Sequence, residues 1–143
     1  MRQDFNFKRA LELKQQKNWD YIYVAIDLHG TIMPERKSKD GVFSFFPHAK
    51  KALQLMSQRE DLRLILFTGS KKSYVNKFLK YAKENQIHFD FANENPDAMK
   101  SSRESFCAKS KLYYNVLLDD RAGFEPGDWK YLYEFFKTNK LYK

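Results

Sequence analysis

Acidic and hydroxyl side chains follow three apolar segments of this chain, each at the point where the segment ends. Asp27 ends the first segment, Thr68 follows the second, and Asp119 and Asp120 follow the third. Short apolar runs of this kind are typical of buried parallel strands. Because the carboxyl ends of parallel strands lie at one edge of a sheet, we expect these four side chains to converge on one crevice.

The three aspartates predict a metal site. Clustered carboxylates repel each other unless a cation lies between them, and oxygen ligands are those that Mg²⁺ prefers. We therefore expect Asp27, Asp119 and Asp120 to bind Mg²⁺, with a backbone carbonyl and water completing the coordination. The ion would also neutralise a phosphate dianion that the aspartates would otherwise repel.

The same residues predict phosphoryl transfer. An ionised Asp27 needs no base to attack phosphorus. The hydroxyl of Thr68 and the backbone amides beside it, such as that of Gly69, can donate hydrogen bonds to phosphoryl oxygens. A lysine is expected to balance the charge, and Lys111, just before the last strand, fits better than its rival Lys109.

Helical and extended patterns alternate along the chain. Helices are expected over residues 7–18, 47–59 and 71–84 and from Asp128 onward, with Ser70 and Asp128 as caps. Strands are expected up to Asp27, over 62–67, 87–91 and 113–118. Asp40-Gly41 predicts a hairpin flap over residues 32–46. Phe43, Phe45 and Phe46 in this flap are interpreted as packing residues, with a nucleobase-stacking platform as the alternative.

The alternation predicts a single α/β domain over residues 1–143, with a Rossmann-like three-layer architecture and a mainly parallel sheet. Residues 1–20 form a helical extension before the first strand, and no separate cap domain is visible. The 143 residues suffice for a core without disulfides or structural metals.

Composition sets the expected compartment and partners. The lone cysteine, Cys107, and the lack of a signal-peptide core or a membrane-length apolar run predict a cytoplasmic protein without a membrane partner. The net charge of +8 favours anionic partners. Because the lysines are dispersed, we interpret the charge as a solubility feature rather than as a nucleic-acid-binding surface. The sequence does not indicate an oligomeric state.

Four segments together resemble the motifs of the haloacid dehalogenase (HAD) superfamily. They are Asp27-Leu-His-Gly-Thr31, Leu-Ile-Leu-Phe-Thr68-Gly-Ser, Lys111 and Val-Leu-Leu-Asp119-Asp120, in the family's order. The resemblance covers about residues 21–120 and is most similar to small capless hydrolases of bacteria and their phages. It implies a HAD-like fold and a Mg²⁺-dependent phosphatase acting on a phosphorylated metabolite or a nucleotide.

The resemblance also implies residue roles. Asp27 would be the nucleophile and a metal ligand, the backbone carbonyl of His29 a second ligand, and Asp119 and Asp120 the remaining ligands. Thr68 and Lys111 would bind the phosphoryl group.

His29 departs from the family pattern, because it stands where the family has a second aspartate that protonates the leaving group and then activates water. An imidazole can donate and accept protons near neutral pH, so the role can persist. The alternatives are a weak or inactive metal-binding or phosphate-binding protein and, third, a nucleic-acid-binding accessory protein.

Overall fold

The structure is a computed structural model that describes residues 4–34, 43–98 and 112–139. These residues form four α-helices, namely α1 (Asp4–Lys17), α2 (Ala49–Ser57), α3 (Lys72–Glu84) and α4 (Asp128–Thr138). They also form four strands, namely β1 (Ile22–Ile26), β2 (Leu62–Leu66), β3 (Phe91–Ala92) and β4 (Val116–Leu118). A short 3₁₀ helix over Asp120–Ala122 joins β4 to α4.

All four strands are parallel and lie in the order β3–β2–β1–β4. β1 is therefore central, and its last residue, Ile26, pairs with Leu66 of β2 and Leu118 of β4. This register places the residues that follow all three strands at one edge of the sheet. The predicted single α/β domain with a Rossmann-like parallel sheet is confirmed.

One continuous apolar core lies between one face of the sheet and the helices. It contains inward-facing strand residues such as Val24 and Leu64 together with buried residues of all four helices, among them Phe7, Leu53, Phe78 and Trp129. On the opposite face of the sheet, Ala25 and Ile65 are also fully buried. The strands thus bury side chains on both faces, which explains their continuous apolar character.

Two predicted strands differ from the observed ones. The strand expected over 87–91 is only Phe91–Ala92, because Ile87 and Phe89 are buried without strand pairing. The strand expected over 113–118 is only Val116–Leu118. Just before this strand, the side chain of Asn115 accepts a hydrogen bond from the Tyr23 amide at 2.8 Å. This bond takes the place of one backbone hydrogen bond that a longer pairing of β1 with β4 would contain.

Both predicted caps are wrong, because each side chain has another partner. The N-cap of α3 is Lys71, without a side-chain cap, whereas the Ser70 hydroxyl lies 3.3 Å from that of Thr68. The N-cap of α4 is Gly127. Asp128 is the first residue of α4, and its carboxylate accepts a hydrogen bond from the Glu125 amide at 3.0 Å.

Some predictions fall on residues 35–42, 99–111 and 140–143, which lie outside the described residues. They include the hairpin turn at Asp40-Gly41, Cys107 and both candidate lysines, Lys109 and Lys111. Within the described part of the flap, Phe43 is buried and Phe45 and Phe46 pack against the core, as the packing interpretation predicts. No helix in the described ranges is long and apolar enough to cross a membrane.

Candidate functional site

Three carboxylates meet at the carboxyl ends of two neighbouring strands, β1 and β4. Asp27 directly follows β1, and its amide donates to the Leu118 carbonyl of β4 at 2.9 Å. This bond extends the ladder to the point where Asp119 and Asp120 begin. One oxygen of each aspartate lies within 4.8 Å of one oxygen of the other two, and all three residues are half-buried. The predicted convergence of these aspartates is confirmed.

Thr31 connects two of the aspartates. Its hydroxyl lies 3.2 Å from Oδ2 of Asp27 and 3.1 Å from Oδ1 of Asp120, and it accepts a hydrogen bond from the Asp120 amide at 3.0 Å. Thr31 is completely buried. One buried hydroxyl therefore sets the distance between side chains that are 93 residues apart in the sequence.

Gly30 leaves room for this arrangement. Its φ is +86°, and a Cβ atom at this position would lie 2.8 Å from Oδ2 of Asp120. Glycine is therefore needed both for the backbone conformation and for the close approach of the carboxylate. The loop that follows β1 also bonds to the buried Trp129 of α4, whose indole N–H donates to the Thr31 carbonyl at 2.6 Å.

The environment of Asp27 disfavours its negative charge. Burial, the neighbouring carboxyl group of Asp120 and the charge of Asp119 together raise the pKa of Asp27 to about 7, against an ordinary value of 3.8. The hydrogen bond from Thr31 acts in the opposite direction. A cation among the three oxygens would offset this repulsion and favour the ionised form. We call Asp27, Gly30, Thr31, Asp119 and Asp120 the acidic side of the site.

Thr68, Gly69 and Ser70, which follow β2, form the opposite wall, called here the hydroxyl side. The Thr68 amide donates to the side chain of Asn93 at 2.8 Å, so this amide is already used. The Ser70 amide approaches the Thr68 hydroxyl at 3.3 Å. The Gly69 amide donates to no other described residue. The donors that this wall offers to a ligand are therefore the Gly69 amide and the hydroxyls of Thr68 and Ser70, which lie within hydrogen-bond distance of each other.

His29 lies beside the acidic side, and its ring contacts Tyr74 in the first turn of α3. Nε2 of His29 is 3.0 Å from the Tyr74 hydroxyl oxygen, and the ring centroids are 5.3 Å apart. The imidazole is thus bonded to α3, the helix that follows β2. β2 and β4 lie on opposite sides of β1 in the sheet.

Both walls line one open pocket of about 600 Å³. Besides the residues already described, Phe67 and Arg121 line it. Phe67 follows β2 and Arg121 follows β4, so they lie on either side of Asp27 in strand order. Phe67 is 39% exposed, and the Arg121 guanidinium forms no ion pair with another described residue. An apolar ring and a cation are therefore both available to a ligand.

The structure brings together most of the residues predicted from the sequence. Asp27, His29, Thr68, Gly69, Asp119 and Asp120 all line the pocket. Asp119 also stabilises the following turn, since its Oδ1 accepts from the Arg121 amide at 3.0 Å. The roles assigned to these residues stay predictions, as do the phosphate-binding role of Lys111 and the metal-ligand role of the His29 carbonyl.

Five residues of the site were not assigned a role from the sequence, namely Gly30, Thr31, Phe67, Tyr74 and Arg121. Gly30, Thr31 and Phe67 lie within the motifs quoted above and Arg121 directly follows the last of them, and this position in the sequence was the available signal. The Tyr74 contact depends on how α3 packs over the loop after β1, and no local pattern indicates it.

The comparisons with known proteins give one informative match. No protein-family model and no curated protein matches the chain. Among solved structures, the chain is similar to a conserved protein of Bacteroides thetaiotaomicron, with 26% sequence identity and a TM-score of 0.62. The alignment covers 85% of this chain and 93% of the other. The chain thus shares its fold over most of its length with a conserved bacterial protein.

Proposed function

We propose that this chain is a HAD-type, Mg²⁺-dependent phosphatase that hydrolyses a phosphomonoester through a phospho-aspartate on Asp27. The observation that carries the proposal is the convergence of three carboxylates at the strand ends, with oxygens within 4.8 Å of one another, in the same pocket as Thr68 and Gly69. One wall suits a cation and the other suits the oxygens of a phosphoryl group.

The acidic side fits a magnesium ion. Asp27, Asp119 and Asp120 supply hard oxygen ligands, and the pocket leaves room for water and a substrate oxygen. When bound, the ion supplies charge neutralisation for the carboxylates and for the incoming phosphate. The raised pKa of Asp27 supports this assignment, because the folded chain holds a carboxylate whose charge is poorly compensated by its own residues.

The reaction has two steps at Asp27. A carboxylate oxygen of Asp27 attacks phosphorus, the bond from phosphorus to the leaving oxygen breaks, and that oxygen takes a proton from His29. Water then attacks the phosphorus and gives a proton back to His29, and the bond between phosphorus and Asp27 breaks. The products are the alcohol, inorganic phosphate and the original carboxylate.

The hydroxyl side would hold the phosphoryl group during both steps. The Thr68 hydroxyl and the Gly69 amide line the pocket and would donate to the phosphoryl oxygens, where negative charge is largest in the transition state. Lys111 is the predicted further cation. The Asp27 carboxylate, fixed by Thr31, is presented opposite these donors.

The leaving group is proposed to carry a planar ring and a further negative charge, as a nucleotide does. Phe67 at the pocket offers a partly exposed ring for stacking. Arg121, on the other side of Asp27, offers a guanidinium for an anionic or phosphate group. These two side chains support a nucleotide over a small aliphatic phosphate ester.

Phosphate release from p-nitrophenyl phosphate and from a panel of nucleoside monophosphates tests the proposal. We expect release that requires Mg²⁺ and falls by about 10³-fold or more in Asp27→Asn. Asp20→Asn, at an exposed aspartate outside the pocket, is the matched control and keeps full activity.

Activity that survives Asp27→Asn contradicts the assignment of the nucleophile. A wild-type protein that binds Mg²⁺ in calorimetry but releases no phosphate from any substrate favours the alternative, a catalytically inactive metal-binding and phosphate-binding protein. The nucleic-acid-binding alternative stays a prediction from net charge alone, and salt-dependent oligonucleotide binding would be its sign.

A further inference from the structure

Tyr74 makes a hydrogen bond to the one residue that departs from the HAD pattern. Its hydroxyl oxygen is 3.0 Å from Nε2 of His29. The two rings are inclined by 34° with centroids 5.3 Å apart, so the rings are in contact as well as hydrogen-bonded. The contact joins the loop after β1 to α3, across 45 residues of sequence.

The Tyr74 ring is itself held by the core. Phe43 packs edge-on against it, with centroids 5.6 Å apart and planes at 74°. Phe43 is 3% exposed and also contacts Phe78 and Tyr81 of α3 at 5.3 Å each. The position of the Tyr74 hydroxyl is therefore determined by packing, and the hydroxyl is a fixed partner for the imidazole.

We propose that Tyr74 is a positioning residue that holds the His29 imidazole in the orientation from which it exchanges a proton at the Asp27 site. The proposal rests on the proposed phosphatase function. A hydrogen bond to one nitrogen of a histidine restricts the plane of the ring, and the Tyr74 hydroxyl can make this bond to either tautomer because it can donate or accept. A rotation of the His29 ring that moves Nε2 away from the Tyr74 hydroxyl would break the bond.

The substitution of histidine for aspartate explains why such a partner is needed. An imidazole is larger than a carboxylate, and its two nitrogens are not equivalent. It transfers a proton to a leaving oxygen only when the correct nitrogen faces that oxygen. Tyr74 supplies one such constraint from outside the loop.

Tyr74→Phe removes the hydroxyl and keeps the ring. We expect kcat to fall by about tenfold, a fraction of the full effect of a general acid–base group, with KM within about twofold of the wild type. Tyr81→Phe is the matched control, because it removes a hydroxyl from another α3 tyrosine that contacts Phe43. We expect Tyr81→Phe to leave kcat unchanged.

A second background tests whether Tyr74 acts through His29. In His29→Asp, the added Tyr74→Phe change is expected to lower kcat by less than about twofold, since no imidazole remains to be oriented. An equal loss in both backgrounds would overturn the positioning role.

The ¹⁵N chemical shifts of the His29 ring nitrogens, measured without Mg²⁺, provide a readout that does not depend on turnover. We expect them to change in Tyr74→Phe and not in Tyr81→Phe, while the shifts of His48 and His88 stay constant in both. Unchanged His29 shifts, or an unchanged kcat in an active protein, would overturn this proposal alone. A wild-type protein without phosphatase activity would overturn the proposed function and, with it, the positioning role.

Discussion

The two walls of the pocket differ in how closely their side chains are joined. On the acidic side, Thr31 contacts both Asp27 and Asp120, and Gly30 leaves no space for a Cβ atom beside Asp120. On the hydroxyl side, a Cβ atom on Gly69 would meet nothing within 4 Å. The difference indicates that the wall that contains Asp27 is fixed by close contacts, whereas the wall that contains Thr68 has room for a larger side chain at Gly69.

The largest expected difference between the two walls comes from replacing a glycine in each with alanine, which adds one methyl group. Gly30→Ala combines a strained φ of +86° with a contact of 2.8 Å to Asp120, so we expect a loss of about 1–3 kcal/mol in stability and of about 10²-fold in kcat. Gly69→Ala is the matched variant, and its free energy of unfolding should stay within about 1 kcal/mol of the wild type. Chemical denaturation and phosphate release measure both. Equal destabilisation by the two changes would contradict the contrast between the walls.

Removing one hydroxyl from each wall gives the next largest effect. Thr31→Val leaves both carboxyl groups without their shared partner, and we expect a loss of about 10-fold to 100-fold in Mg²⁺ affinity. Thr68→Val should leave Mg²⁺ affinity unchanged and instead weaken phosphate binding, because Thr68 lies on the opposite wall. Calorimetry with Mg²⁺ and with inorganic phosphate separates the two. An unchanged Mg²⁺ affinity in Thr31→Val would refute the connecting role of its hydroxyl.

The pH dependence of stability tests the wall that contains Asp27. The folded pKa of Asp27, about 7, exceeds its ordinary value of 3.8, so the folded chain binds this proton more tightly than the unfolded chain. Without a cation, the contribution of Asp27 to stability therefore falls as pH rises from about 4 to about 7. Because Mg²⁺ binds the ionised form, it should raise the melting temperature more at about pH 8 than at about pH 5.

The control for this prediction is Asp27→Asn, which removes the titrating group. Thermal unfolding with and without Mg²⁺ should show a much weaker pH dependence of the metal effect in this variant. A Mg²⁺-induced shift that is the same at both pH values in the wild type would be inconsistent with the assignment.

The smallest expected effect concerns the leaving group. Phe67→Ala should raise KM for a nucleoside monophosphate about threefold to tenfold, which matches the loss of one stacking contact. KM for p-nitrophenyl phosphate should change less, because its single ring is smaller. Tyr114→Ala, at an equally exposed aromatic that lies outside this pocket, should change neither. Steady-state kinetics that show the same change for both substrates would exclude a nucleotide-specific contact.

Much of the fold and part of the site could be predicted from the sequence, because they depend on local patterns. The strands that precede Asp27 and Thr68 are short continuous apolar runs and the helix after Thr68 has a helical apolar period, and parallel topology then brings the strand ends together. These patterns predict Asp27, Thr68, Asp119 and Asp120 at one edge of the sheet, where all four line the pocket.

The features that were not predicted depend on contacts that residue type and local pattern do not specify. Ser70 and Asp128 have ideal capping side chains, but both are engaged by neighbours that only the folded turn brings close. The roles of Thr31 and Tyr74 depend on contacts made across 89 and 45 residues of sequence. Local propensity carries no information on such contacts.

The proposed phosphatase mechanism depends most directly on covalent chemistry at Asp27. The decisive measurement is mass spectrometry of peptides from wild-type protein that has been quenched with acid during turnover in the presence of Mg²⁺. We expect one phosphoryl group on the peptide containing Asp27, and we expect it to be missing without Mg²⁺ and in Asp27→Asn. Phosphate release at full rate with no modified peptide, or with the modification on another residue, would contradict it.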